Sequence, residues 1–177
     1  MKSTKTLRTF ALASGLAVAG SVLLAPASVR AESGPCATVN AALDRVMKGP
    51  THVFSKNMVP SEQESETISV DGKMFVHVRG QWRVSPITAA EMAAQRKENL
   101  GHGTMSCRAV GEESVGGSAA TVYEAKGKTE IGNSESKMWI AKGSGLLLKD
   151  EETIRDGKET LIQRTAHYEY AGVHAPI

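Results

Sequence analysis

The chain has 177 residues and a formal net charge of +2 at pH 7, and its basic excess lies at the N-terminus. Residues 1–31 hold four of the 21 lysines and arginines and none of the 19 acidic residues, which leaves 17 against 19, a net charge of −2, in the remainder. Nucleic-acid binding needs a concentrated basic face, so we exclude this class of function. The residues after position 31 suffice for one domain with a substantial core.

The first 31 residues have the pattern of a secretory signal peptide. A basic segment precedes the apolar stretch Phe10–Ala25, and Val29–Ala31 fits the small-x-small rule for cleavage. The alternative is an uncleaved membrane anchor, but the stretch is shorter than the roughly 20 residues that a transmembrane helix needs. The pattern predicts a periplasmic protein with one domain over residues 32–177, beginning at Glu32 and lacking a transmembrane segment.

Two cysteines, Cys36 and Cys107, remain after this segment. An even number of cysteines in an oxidising compartment predicts a structural disulfide between them. The competing interpretation is a catalytic thiol paired with a histidine such as His102. Because no catalytic signature flanks either cysteine, we favour the disulfide.

Two helices are predicted. The first spans Pro35–Lys48, with proline at its first position, glycine and proline after its end, and one apolar stripe. The second spans Thr88–Leu100, where Thr88 and Glu91 form a capping box. The apolar face of the second helix is thin. It is therefore expected either to lie over an opening or to be a small surface helix.

The remaining segments show the period of two that is typical of β-strands. Asp71-Gly72 and Asp156-Gly157 are hairpin signals, while Gly127–Asn133 is polar and turn-like. The order of the segments favours an antiparallel meander that forms a barrel or a strongly curved sheet of about eight to ten strands. The predicted strands are His52–Ser55, Glu66–Val70, Lys73–Arg79, Trp82–Ser85, Thr104–Val110, Ala119–Lys126, Ser136–Ala141, Leu146–Ile154 and Lys158–Tyr170.

No segment carries a catalytic or metal-binding signature. Gly143–Gly145 lacks the Lys-Ser/Thr ending of a phosphate loop and leads into a strand, so it is a turn. The five histidines lack zinc-ligand spacing, although His77 and His167 lie on predicted strands where they could meet. No pair of carboxylates is fixed at the separation that glycosidases require. The sequence therefore predicts a protein that is not an enzyme and has no metal or other cofactor.

The late hairpin carries a resemblance to a known family. Met138–Lys142 (MWIAK), a glycine turn and Gly145–Lys149 (GLLLK) resemble the pattern W-I-x-(K/D)…G-L-P-(L/V)-(K/R) of the lipoprotein-localisation-factor-like (LolA/LolB/LppX-like) superfamily. The following strand ends in aromatic residues, His167–Tyr170, as in that family. The order of signal peptide, helix, hairpins, short helix and strand meander is also similar. Leu147 departs from the pattern, since proline is frequent there, and the two cysteines are an addition.

This resemblance implies an α+β fold: an unclosed antiparallel half-barrel whose concave face is covered by the two helices. It also implies a cavity for acyl chains, without enzyme activity or a cofactor. Methionine adapts to varied apolar partners, although Met47, Met74, Met92 and Met138 are, position for position, about three times more often ordinary core residues. The residues expected to point inward are Leu43, Val46, Met47, Met74, Val76, Val78, Met92, Met138, Ile140 and Leu148.

We expect a periplasmic protein that holds a lipid, an acylated molecule or another apolar ligand between the sheet and the helices. The alternative is a cell-envelope interaction or sensor module with the same fold and a filled core, which would bind a protein partner. The two differ in whether a continuous apolar cavity of several hundred Å³ is present.

Overall fold

The computed structural model describes residues 34–102 and 105–177, with residues 99–102 as backbone only. The predicted signal peptide and the side chain of His102 lie outside the described residues. Helix α1 spans Pro35–Lys48, as predicted, and α2 spans Ala89–His102. Neither helix is long and apolar enough to cross a membrane, and no other helix in the described part of the chain is. The strands are β1 (Thr51–Val59), β2 (Gln63–Val70), β3 (Lys73–Val78), β4 (Gln81–Val84), β5 (Ser106–Val115), β6 (Ser118–Thr129), β7 (Gly132–Ala141), β8 (Leu147–Asp156) and β9 (Glu159–Glu169).

The described strands form one antiparallel sheet in the order β4-β3-β2-β1-β9-β8-β7-β6-β5. The chain runs through β1–β4 to one edge, passes through α2 to the opposite edge, and returns through β5–β9 until β9 pairs with β1. The sheet remains open between β4 and β5. This confirms the α+β class and the unclosed half-barrel, and it shows two meanders joined at β1 and β9 where the sequence indicated one.

Local turn chemistry explains the tight hairpins. Asp71 and Gly72 both have positive φ, 52° and 72°, and join β2 to β3 as predicted. The predicted turn at Gly127–Asn133 is shorter in the structure, since β6 continues to Thr129 and β7 begins at Gly132. Polar side-chain pairs across β6 and β7 stabilise this longer hairpin. The ammonium group of Lys126 lies 2.7 Å from the carboxylate of Glu135, directly opposite.

Helix α1 packs against one face of β5–β8 and against α2. The apolar stripe of α1 meets the alternate residues of β6, β7 and β8 that point to the same face. Leu147 is fully buried beneath the helix. The residues of this core are Val39, Ala42, Val46, Ala125, Met138, Ile140 and Leu147.

A disulfide and a hydrogen bond attach α1 to the sheet. Cys36, in its first turn, is bonded to Cys107 of β5, with 5.0 Å between their Cα atoms, which confirms the predicted disulfide. Nearer the C-terminus of the helix, Arg45 donates a hydrogen bond to the carbonyl oxygen of Ser144 in the β7–β8 turn. The helix is therefore held at both ends of the surface that it covers.

A second, smaller core lies on the other face of the sheet around Trp139, which is only 3% exposed. Its ring packs with Ala120 and Val122. The ammonium groups of Lys137 and Lys149 lie 4.7 and 4.3 Å from its centroid. The indole N–H donates a 2.7 Å hydrogen bond to Glu113. Trp139 is thus buried by neighbouring strands and by the stems of two lysines.

Candidate apolar binding cavity

A cavity of about 400 Å³ lies between the two helices and the sheet face that α1 covers. This volume is within the range of about 300–1,000 Å³ that small-molecule sites occupy. Apolar and small side chains from both helices, β6, β7 and the residue before β5 surround it together with several polar side chains. Its described lining consists of Leu43, Met47, Met92, Gln95, Arg96, Met105, Ala125, Lys126, Gly127, Lys128, Thr129, Ser134, Ser136, Met138 and Glu152.

The periodicity of the two element types brings the apolar lining together. Leu43 and Met47 are four residues apart on α1 and therefore lie on one face of the helix. Ser134, Ser136 and Met138 occupy alternate positions of β7 and point to the same side of the sheet. Because two of these three residues are serines, β7 leaves space there that α1 does not fill.

Arg96 fixes α2 beside α1. Its guanidinium donates to Asp44 at 2.9 Å and to Asn40 at 2.7 Å, both on α1. Burial lowers the pKa of Arg96, and the nearby carboxylate of Asp44 opposes that effect. The pair of hydrogen bonds places Met92, one turn earlier on α2, at the cavity. The thin apolar face of α2 therefore lies over an opening.

The start of α2 has the predicted capping box. The backbone N–H of Thr88 donates to the Glu91 carboxylate at 2.7 Å, and the N–H of Glu91 donates to the Thr88 hydroxyl oxygen at 3.2 Å. The hydrogen bonds that the backbone N–H and the hydroxyl of Thr88 donate to the carboxylate lower the pKa of Glu91. The cap determines where the helix begins and hence which of its residues face the cavity.

An acidic pair with one arginine adjoins the cavity through Glu152, which belongs to its lining. The Ser134 hydroxyl donates to Glu152 at 3.2 Å, and Arg164 donates to Glu152 at 2.8 Å and to Asp150 at 3.2 Å. Asp150 is 3% exposed, and its Oδ1 atom has no hydrogen-bond partner among the described residues. Burial raises the pKa of Asp150, although Arg164 opposes the effect. Burial disfavours the charged form of Arg164, but Asp150 and Glu152 outweigh this and raise its pKa.

The structure brings some of the predicted inward residues together at the cavity and places others elsewhere. Leu43, Met47, Met92 and Met138 line it. Val46 and Ile140 lie in the core beneath α1. The register places Met74, Val76 and Val78 on the same sheet face, on β3, but they are not part of this cavity.

Leu148 lies on the opposite face of the sheet from the position expected. The register shifts between Trp139 and Ile140, so that Ile140 pairs with Leu147. Leu147 therefore points under α1, and Leu148 packs against the core around Trp139. A β-bulge moves the following side chains to the other face, and strict alternation along the sequence does not show where one occurs.

Met105, Ala125, Ser134 and Ser136 line the cavity but were not predicted. Ser134 and Ser136 share the parity of Met138 on β7, so strand periodicity contained this signal. Ala125 lies directly opposite Ser136, and only the strand register shows this. Met105 immediately precedes β5 and had no periodic signal.

The chemistry of the site combines apolar contact with polar side chains. No group of three or more histidine, cysteine, aspartate or glutamate side chains is arranged to hold a metal ion in the described parts of the chain. The arrangement can contact an apolar group and also offers hydrogen-bonding atoms.

No protein-family profile and no curated protein matches this chain. Among solved structures, it is similar to the lipoprotein LppX of Mycobacterium tuberculosis, with 13% sequence identity and a TM-score of 0.50, covering 78% of this chain and 96% of LppX. LprF of Mycobacterium bovis has 11% identity and a TM-score of 0.45, covering 82% of this chain and 99% of LprF. MucB, in its complex with MucA, has 16% identity and a TM-score of 0.46, covering 81% of this chain and 57% of MucB. The likeness to LppX agrees with the superfamily resemblance, and it concerns the fold.

Proposed function

We propose that this protein is a non-catalytic, exported periplasmic protein that binds a lipid or another acylated, apolar ligand in the cavity between α1, α2 and the sheet. The observation that carries the proposal is the cavity itself, which measures about 400 Å³ and has four methionines in its lining. Methionine is flexible and polarisable, so it adapts to chains of different shape. Each buried CH₂ group of such a ligand would contribute about 0.8 kcal/mol.

The periplasmic location rests on two features. The first is the signal-peptide pattern of residues 1–31. The second is the disulfide between Cys36 and Cys107, because structural disulfides persist in oxidising compartments. Cell fractionation with the full sequence tests the location, since a protein retained at its full mass in the cytoplasm would contradict it.

Binding is tested with cis-parinaric acid, a fluorescent fatty acid, and with native mass spectrometry of protein purified from the periplasm. We expect a co-purified lipid mass, and we expect Met92→Asp to weaken the probe's affinity at least about tenfold, since a carboxylate beside an acyl chain loses its hydration. Met58→Asp is the matched control. Met58 is 38% exposed on β1 and lies outside the cavity, so its substitution is expected to leave the affinity unchanged.

The alternative is a protein-interaction module, and the open sheet edge favours it. Strand β5 spans ten residues and has no neighbour on one side among the described strands. Such an edge can accept a partner's strand. Circular dichroism shows whether the purified protein is folded. Folded protein that carries no lipid and does not bind the fatty acid would support this alternative and contradict the lipid proposal.

A further inference from the structure

A row of aromatic and titratable side chains crosses the sheet on the face opposite α1. The register places His167 of β9 opposite Phe54 of β1, Phe54 opposite Glu66 of β2, Glu66 opposite His77 of β3, and His77 opposite Trp82 of β4. Residues that are directly opposite in antiparallel strands share one face of the sheet. Five strands therefore contribute to one continuous strip, which the apolar cavity does not include.

Two imidazoles share one carboxylate in this strip. The Nε2 atom of His52 is 3.1 Å from one oxygen of Glu66, and the Nδ1 atom of His77 is 3.6 Å from the other. The Trp82 ring stacks on His77, with 5.0 Å between centroids, and meets His52 edge-on at 6.0 Å. The carboxylate and the indole ring thus position both imidazoles, whose side chains are 21% and 33% exposed and remain accessible to solvent.

A cavity of about 810 Å³ opens in front of the strip. Phe54, His77 and His167 line it, together with two permanently charged basic residues and two acidic residues. Lys56 comes from β1 and Arg79 from the β3–β4 turn. Arg79 has no hydrogen-bond or ion-pair partner among the described residues. The two acids of the lining are Glu64 and Glu66.

The charge of this site depends on its histidines. The two fixed cations and the two carboxylates of the lining cancel at neutral pH. Histidine is the side chain that gains a positive charge as the pH falls from about 8 to about 5. Protonation of His77 and His167, which line the cavity, and of His52 beside it would shift this balance toward positive charge. The other charged groups around the strip are Glu62, 2.5 Å from Lys56, Glu169, opposite His52, and Lys149, opposite His167 and 2.6 Å from Glu151.

We propose that this strip is a proton-dependent binding site for a phosphate group, either free or carried by a lipid headgroup. Guanidinium and imidazolium groups form charge-assisted hydrogen bonds to phosphate oxygens, and these are stronger than bonds between neutral partners. Arg79 and His77 belong to the β3–β4 hairpin, whereas Lys56 and His167 lie on β1 and β9, on the far side of β2, so these groups border the open space from two sides. The aromatic rings provide a rigid base.

The test is a titration with inorganic phosphate, followed through the imidazole resonances by NMR at pH about 5.5 and about 7.5. We expect affinity several-fold higher at the lower pH, because the positive charge that the imidazoles gain outweighs the part of a negative charge that phosphate loses on protonation. His77→Gln and Arg79→Gln are each expected to reduce the affinity at low pH several-fold. His174→Gln is the matched control, since His174 is exposed near the C-terminus and outside this cavity.

A second measurement separates the two sources of the phosphate. Protein is sedimented with phosphatidylcholine vesicles that contain phosphatidylglycerol. Binding to these vesicles at low pH without binding of inorganic phosphate identifies the headgroup as the ligand, and binding of both identifies the phosphate group itself. Binding that is absent in both assays, equal at the two pH values, or unchanged by Arg79→Gln overturns the proposal. Met92→Asp is expected to leave this binding intact, which makes the result independent of the apolar cavity.

Discussion

The two halves of the sheet are built differently. The helix half, β5–β8, has strands of 10 to 12 residues, packs against α1 on one face and buries Trp139 on the other. The histidine half, β1–β4, narrows to strands of six and four residues and carries the aromatic and titratable strip. Buried apolar contacts therefore concentrate in the helix half, and charged groups around open space concentrate in the histidine half. We therefore expect the helix half to supply most of the stability and the histidine half to supply solvent-accessible chemistry.

The largest effect is expected from removing the disulfide. Cys36 and Cys107 are 71 residues apart, and the chain-entropy model gives about 4 kcal/mol for a loop of this length. Because the bond joins α1 to β5, its loss should also loosen the helix half. We expect Cys36→Ser/Cys107→Ser to lower the free energy of unfolding in urea by about 2–5 kcal/mol and to weaken fatty-acid binding.

Addition of reductant is the control for this prediction. It should destabilise the wild type by the same amount and leave the double variant unchanged. A double variant that keeps both wild-type stability and probe affinity would show that packing alone holds α1 on the helix half.

How far the sequence predicted these halves depends on whether a contact is local. The bounds of α1, the cap of α2 and the Asp71-Gly72 hairpin depend on residues close together in the chain, and the structure has all three. The sequence predicts Leu148 on the face beneath α1, but it lies on the Trp139 face, because a β-bulge changes the parity of the strand without a sequence signal.

Contacts between distant strands could not be predicted. His52, Glu66 and His77 meet only through the registers of three strands. Arg164 reaches Asp150 because β8 and β9 pair as they do, and no spacing in the sequence indicates the burial of that aspartate. Part of the apolar lining was predictable from helix and strand periodicity. The titratable groups of both sites depend on tertiary pairing.

A pair of valines measures the difference between the halves. Val122 in β6 is 1% exposed and packs with Trp139, whereas Val84 in β4 is 57% exposed. Val122→Ala should cost about 1.6 kcal/mol or more, at about 0.8 kcal/mol for each buried CH₂-sized group. Val84→Ala should change stability by less than about 0.5 kcal/mol. Urea unfolding of both variants provides the measurement, and equal losses would contradict the difference between the halves.

The smallest predicted effect concerns Asp150 on β8 and Arg164 on β9. Burial raises the pKa of Asp150 above its ordinary value of 3.8, so the folded protein holds that proton more tightly than the unfolded chain. The contribution of Asp150 to stability is therefore most favourable below this value and decreases as the pH rises through the folded pKa. We expect Asp150→Asn, in which Arg164 keeps Glu152 as a partner, to raise Tm at pH 7 and to lose this advantage as the solution is acidified toward pH 4.

Glu151→Gln is the matched control, because it removes the same charge at a half-exposed neighbour on β8, and it should show no such gain. An Asp150→Asn variant that melts below the wild type at pH 7 would mean that attraction to Arg164 outweighs the desolvation of Asp150. The junction of the two halves would then be stabilised by a buried ion pair, and the apolar packing of the helix half would account for less of the total stability.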